Sequence, residues 1–224
     1  MLSLQLLRRV QAIIMHINYN IANWSIIGDG QWGIAGGVIS QITVGQLDPQ
    51  ELFYNKPSGS QDRTVIAKVF FNAVDNPANG HDGRAGISVL NSGTCGIGLV
   101  YSDNAGGLTF LEDLIAWGDE TYSFLPGVDS QWWFKASFDN ASQIFFGKCW
   151  EVGNDEPVDW QVSYQSSTLI DAYVYSGVIG NSPNDSTTHA SFSDFSIDPV
   201  IEPPSFKPWF KSKSHLLGWG LNNV

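Results

Sequence analysis

The chain is predicted to be all-β, an antiparallel sandwich of two sheets, and three observations carry that expectation. Residues 132–138 alternate, with Trp132, Phe134, Ala136 and Phe138 on one side and Trp133, Lys135 and Ser137 on the other. A period of two is the mark of a strand with one buried and one wetter face. Short apolar runs of this kind recur along the chain, separated by clusters of Gly, Asn, Asp and Pro; such clusters turn the backbone. Finally, the composition is glycine-rich and aromatic but sparse in charge, with 23 Gly, 13% aromatic and 15% charged residues among 224. That balance suits a core-forming β-protein with many turns and argues against disorder.

The elements follow in chain order. In residues 2–17, Leu6, Val10, Ile13, Ile14 and Ile17 fall at helical spacing with Arg8 and Arg9 on the polar side, which predicts a short amphipathic helix within an N-terminal arm of residues 1–20. The body is expected to span residues 21–199. Its first strands are 23–27 and 31–42, separated by Gly28-Asp29-Gly30. Residues 45–62, rich in Gly, Pro, Ser, Asn and Gln, predict a loop with at most a short strand at 52–54. Strands are then expected at 64–74, 84–90 and 95–102, the second followed by Asn91-Ser92-Gly93, and at 108–114, 115–117 and 122–125. The strand at 132–138 turns at Asp139-Asn140, where short Asx side chains bond their own backbone, into a strand at 143–152. After Gly153-Asn154-Asp155-Glu156-Pro157, Trp160 opens a strand to 166. The last two are 173–179 and 190–197. Residues 200–224 form a Pro-rich linker and an apolar end carrying Trp209, Phe210, Leu216, Leu217, Trp219 and Leu221. So many large apolar groups predict an anchor that docks on a partner.

A strand that begins with Trp, a polar turn, a strand that ends in Trp150, and then Gly153-x-x-Glu156-Pro157-x-x-Trp160 resemble the late part of the laminin-G-like jelly roll of the concanavalin A-like lectin/glucanase superfamily. The resemblance extends to Trp24…Gly30-x-Trp32-x-Ile34-x-Gly36-Gly37-Val38-Ile39 and to Arg84-Ala85-Gly86-Ile87. It also takes in Gly96-Ile97-Gly98-Leu99-Val100-Tyr101 and the closing Phe192, Phe195 and Ile197. It implies a jelly-roll sandwich over residues 21–198. Function follows from it less directly, because one such fold serves lectins, enzymes and structural modules.

Charge narrows the partners. The net charge is −11, which argues against nucleic acid. Residues 1–18 and 201–224 each carry +2, leaving −15 between them; an acidic body with mildly basic, apolar arms points to arms that dock elsewhere, another copy's body included. No run of 18 apolar residues predicts a membrane span. Residues 1–17 lack the long apolar stretch and small-residue cleavage site of a signal peptide, so a protein made in the cytoplasm and not secreted by the general route is expected. Cys95 and Cys149 are expected to be two buried thiols; a bridge between them is the alternative.

Three kinds of chemistry come into question. Glucanases that resemble this fold place Glu-x-Asp-x-x-Glu on one strand, where alternate carboxylates share a face. No such motif is present, and Glu112-Asp113 and Asp119-Glu120 are expected to be solvated turn charges. The resemblance also raises calcium, with residues 75–82 and 181–185 as candidate loops, but neither has EF-hand spacing, and no cofactor or metal is expected. For glycans, which stack on exposed aromatic rings, Trp117, Trp133 and Tyr164 are the candidates.

These features together resemble a virion component of a tailed phage: a non-catalytic decoration or attachment protein docking on other virion proteins or on copies of itself, and binding host-surface glycans. The alternatives are a stand-alone carbohydrate-binding lectin-like module and a glycoside-processing enzyme.

Overall fold

A computed structural model describes residues 17–57, 62–72, 83–94, 96–166, 173–182 and 190–199. The predicted helix, the C-terminal anchor and the loop at 75–82 lie outside the described residues, as do Cys95 and residues 183–185. Among the described residues, a 3-10 turn at Ile21–Asn23 precedes fifteen strands. They are β1 (Trp24–Ile27), β2 (Trp32–Ala35), β3 (Val38–Gln41), β4 (Gln46–Tyr54), β5 (Arg63–Phe71), β6 (Arg84–Asn91), β7 (Gly96–Ser102), β8 (Gly107–Glu112), β9 (Ala116–Trp117), β10 (Tyr122–Ser123), β11 (Gln131–Asp139), β12 (Ile144–Glu151), β13 (Val162–Gln165), β14 (Tyr175–Ser182) and β15 (Ala190–Pro199).

One sheet runs β1-β4-β14-β6-β7-β8-β10, with β9 also paired to β8; the other runs β13-β12-β11-β5-β15-β3-β2. The strand pairs are antiparallel. The non-sequential neighbours are the crossovers of a jelly-roll sandwich. The core fills the space between the sheets. Leu52, Ile87, Leu99, Tyr101 and Phe110 face Val69, Phe71, Phe134, Phe138, Phe145 and Phe192 across it, all essentially without exposed surface. Each such side chain contributes about 1.5–3 kcal/mol by leaving water. Close approach of the sheets has a local cause: a Cβ on Gly147 of β12 would lie 2.4 Å from Leu99 Cδ1 of β7.

The alternation in 132–138 is confirmed in β11, where Phe134, Ala136 and Phe138 are buried and Trp133, Lys135 and Ser137 are half-buried. Its turn forms as the Asx chemistry predicts. Asp139 Oδ1 accepts from Ala141 N at 3.0 Å and Oδ2 from Ser142 Oγ at 2.7 Å. These bonds hold the Asp139 carboxyl below its ordinary value.

Three expectations are corrected. Residues 45–62 are not mainly loop, because 46–54 form β4 in the interior of a sheet. This strand looks polar because Gln50 is buried and serves the neighbouring loop: its Oε1 accepts from Gly30 N at 2.5 Å and its Nε2 donates to Asp29 Oδ1 at 3.0 Å. A Cβ on Gly28, which has φ 100°, would strike that Gln50 amide at 2.3 Å. Pro49 is tolerated because β1 pairs only with Glu51–Tyr54, and the β14 register shifts between Gly180 and Ser182. Residues 31–42 are two strands, not one. Gly36 and Gly37, with φ 59° and 81°, supply the left-handed pair of a two-residue hairpin turn between β2 and β3. Trp160 does not open a strand; pairing begins at Val162.

Residues 17–20 already pack on the sandwich. The Tyr19 hydroxyl accepts from Phe195 N at 2.9 Å and donates to Phe195 O at 3.2 Å, and Asn18 N donates to the Tyr54 hydroxyl at 3.2 Å.

Candidate functional site

The motif that carries the family resemblance is a strap across the outer face of one sheet. On β11 and β12, outward positions pair in register: Trp133 with Trp150, Lys135 with Lys148, and Ser137 with Phe146. Two adjacent ammonium groups repel unless an anion lies between them. Glu156 provides it, with its Oε1 2.8 Å from both Lys135 Nζ and Lys148 Nζ. Partial desolvation pushes the Glu156 carboxyl up, but the hydrogen bonds and charges of the two lysines outweigh that and hold it below its ordinary value. Lys148 also donates to Pro157 O at 2.6 Å, and its ammonium lies 4.7 Å from the centre of the Trp160 ring. Trp160 packs against Phe146 with ring centres 6.0 Å apart. Gln161 completes the strap: its Oε1 accepts from Cys149 N at 2.7 Å, and its Nε2 donates to Cys149 O at 3.1 Å. The Glu, Pro and Trp of the motif thus neutralise and cover Lys148, which is 5% exposed.

Where the strap rejoins the sheet, it leaves an open cleft of about 580 Å³ lined by Glu120, Thr121, Phe146, Trp160, Gln161, Val162 and Ser163. Its volume lies in the range of small-ligand sites, roughly 300–1,000 Å³. Trp160 is 39% exposed, so an apolar floor meets water here. Hydrogen-bonding groups rim it. Glu120 is fixed at both ends: Thr109 Oγ1 donates to its carbonyl at 2.7 Å, and its Oε2 accepts from Ser163 N at 2.5 Å and Ser163 Oγ at 3.0 Å. Because β13 is an edge strand, this carboxylate also occupies a backbone donor that would otherwise be open to another strand.

The expectation of solvated turn charges holds for the exposed Asp119 and Glu120 but not for Glu112. Glu112 is 5% exposed and accepts from the Tyr164 hydroxyl and, at 2.7 Å, from Ser166 Oγ. Glu120 is exposed but fixed on Ser163. Ser163 and Tyr164 are successive residues of β13, so their side chains point to opposite faces. Glu112 and Glu120 therefore hold opposite sides of one strand and do not converge on a common bond.

The three predicted aromatic residues are not brought together. Trp133 lies on the outer face, stacked with Trp150 at 6.2 Å and topped by Lys68 Nζ at 4.9 Å, with Lys68 held by Asp194 at 2.9 Å. The hollow beside it, lined by Lys68, Phe70, Gln131 and Ser191, is about 170 Å³, small for a ligand site. Trp117 is 40% exposed on the other sheet, beneath the Arg84 guanidinium at 5.4 Å. Tyr164 is packed into the seam against Phe110 at 5.9 Å. Burial and the Glu112 carboxylate push its phenol up. Trp160 and Glu120 both stand in the sequence as motif and turn residues, but their convergence depends on β8 meeting β13, a contact between the two sheets.

Among the described residues no group of three His, Cys, Asp or Glu could hold a metal ion. Cys149 is a free, buried thiol, and burial pushes its pKa up. No described helix is long and apolar enough to cross a membrane.

The fold is a two-sheet antiparallel jelly-roll sandwich, and solved structures bear it out. The carbohydrate-binding module CBM66 from Bacillus subtilis superposes with a TM-score of 0.55 at 9% identity, covering 79% of this chain and 95% of that one. Lectin I-B4 from Griffonia simplicifolia, in its metal-free form, gives 0.56 at 10% identity over 79% and 92%. The exoplasmic/lumenal domain of VIP36, in a form bound to Ca²⁺ and Man3GlcNAc, gives 0.55 at 9% identity over 83% and 87%. No family model and no curated protein matches the chain.

Proposed function

We propose that this chain is a non-catalytic glycan-binding module whose sugar site is the Trp160 cleft. The observation that carries this is the pairing of a floor of exposed Trp160 and half-buried Phe146 with fixed hydrogen-bonding groups in one open cleft. Sugar rings need both, an apolar face to stack on and polar groups to orient their hydroxyls. The fold supports it, since its structural neighbours include lectins and a carbohydrate-binding module. A binding role without bond cleavage is supported by the arrangement of Glu112 and Glu120, which face opposite sides of β13. Within this account the module serves attachment. Residues 200–224 dock it on virion proteins of a tailed phage or on other copies of itself, and the cleft meets a host-surface glycan. That part rests on the sequence of the terminal segments.

A glycan array probed with the wild-type chain, Trp160→Ala and Thr121→Arg tests the proposal. Thr121 is exposed on the cleft wall, so an arginine there obstructs the cleft without touching the core. The wild type is expected to bind a defined glycan set, and both variants to lose at least about tenfold in affinity, or about 1.4 kcal/mol. Binding unchanged in Thr121→Arg, or no glycan bound by the wild type, would overturn the proposal.

A further inference from the structure

We propose that the glycan held in the Trp160 cleft is cationic, bearing free amino groups on its rings as a de-N-acetylated hexosamine polymer does. This rests on the cleft being the sugar site and adds the class of sugar. The key group is Glu120. Its backbone is tied to Thr109 and its Oε2 to Ser163, so the carboxylate is held in place before any ligand arrives. Its Oε1 has no hydrogen-bond partner among the described residues, which leaves one charged acceptor open on the wall of an aromatic-floored cleft. An ammonium group placed there makes a charge-assisted hydrogen bond, about twice as strong as a neutral one.

The surrounding charge has the same sign. Asp119 and Asp159 flank lining residues Glu120 and Trp160 in sequence. The cation at the cleft, Lys148, is already matched by Glu156, Pro157 O and the Trp160 ring. It is 5% exposed, so it offers little to an anionic ligand. The chain as a whole carries −11, a field that draws in cationic glycans and slows uronic- or sialic-acid-bearing ones. A neutral sugar fits the cleft but leaves the Glu120 charge unused.

The test is calorimetric titration of the full chain with glucosamine oligomers and N-acetylglucosamine oligomers of equal length, below the pKa of the amine, at low and high salt. The glucosamine oligomer is expected to bind at least about tenfold more tightly. That preference is expected to vanish in Glu120→Gln, whose amide oxygen still accepts from Ser163 and so keeps the local fold. Thr121→Arg should abolish binding of both oligomers. Equal binding of the two oligomers would overturn this inference and leave the cleft as a neutral-sugar site. A preference that survives Glu120→Gln would overturn it too, because bulk charge and not this carboxylate would then be responsible. If neither oligomer binds and a glycan array is also blank, the underlying assignment of the cleft fails with it.

Discussion

Glu51 is a carboxylate in the middle of β4 with no exposed surface. Burial raises its pKa to about 7, against the weaker opposing influence of Ser88 and Asn91. Both residues lie near, yet neither makes a hydrogen bond of good geometry to its oxygens. The folded state therefore holds a proton that the unfolded chain, with an ordinary value of 4.5, releases earlier. The contribution of this carboxyl to folding stability is full below pH of about 4.5 and is lost as pH rises through about 7. Glu51→Gln removes that dependence. Chemical denaturation should find the variant more stable than wild type above pH of about 7, by on the order of 2–3 kcal/mol, with no gain at low pH. Equal stability at both ends of the range would show that the carboxylate is solvated. A buried Glu is illegible in sequence, because Gln50-Glu51 looks like the polar edge of a loop. Glu112 misled in the same way. Its partners, Tyr164 and Ser166, are more than fifty residues away, and no local pattern records them.

At the scale of elements, strands with one wet and one dry face were legible, and so were the apolar runs of β6, β7 and β8, which are buried almost throughout. In β5 the alternation of Val65, Ala67, Val69 and Phe71 is the alternation of burial itself. β4 was harder because it carries Pro49, Gln50 and Glu51 in mid-sheet, whereas β14, expected at 173–179, is shifted to Tyr175–Ser182. The strap at 152–161 was visible as a motif but not as a device: spacing shows Glu, Pro and Trp, and only the register of Lys135 with Lys148 shows what they neutralise. That account makes the strap a stabilising element. Glu156→Ala leaves Lys148 buried beside a second lysine. Because Glu156 itself is 39% exposed, the expected cost is about 1–2 kcal/mol, below that of a fully buried pair. Replacing Lys148 by Met in the same variant should recover most of it. Urea unfolding of the two variants checks this; an equal loss in both would mean that the carboxylate acts through something other than the lysine pair.

For the molecule as a whole, the all-β class and the two-sheet sandwich were legible because alternation, turn chemistry and aromatic content all point the same way. The site was legible only in part. Sequence singled out exposed-face aromatics, and Trp133 and Trp117 do lie near the surface, but the hollow beside Trp133 is only about 170 Å³ and Trp117 does not line the Trp160 cleft. The ring that floors a cleft, Trp160, stands inside a motif and at the predicted start of a strand. The central claim is that sugar binds at this ring and not at the others. The most direct measurement follows the indole N–H signals of the nine tryptophans by NMR while a glycan is titrated in. The account predicts that the Trp160 signal shifts with saturation and that those of Trp117 and Trp133 stay in place. A saturable shift at Trp133 or Trp117 with Trp160 unmoved would contradict it.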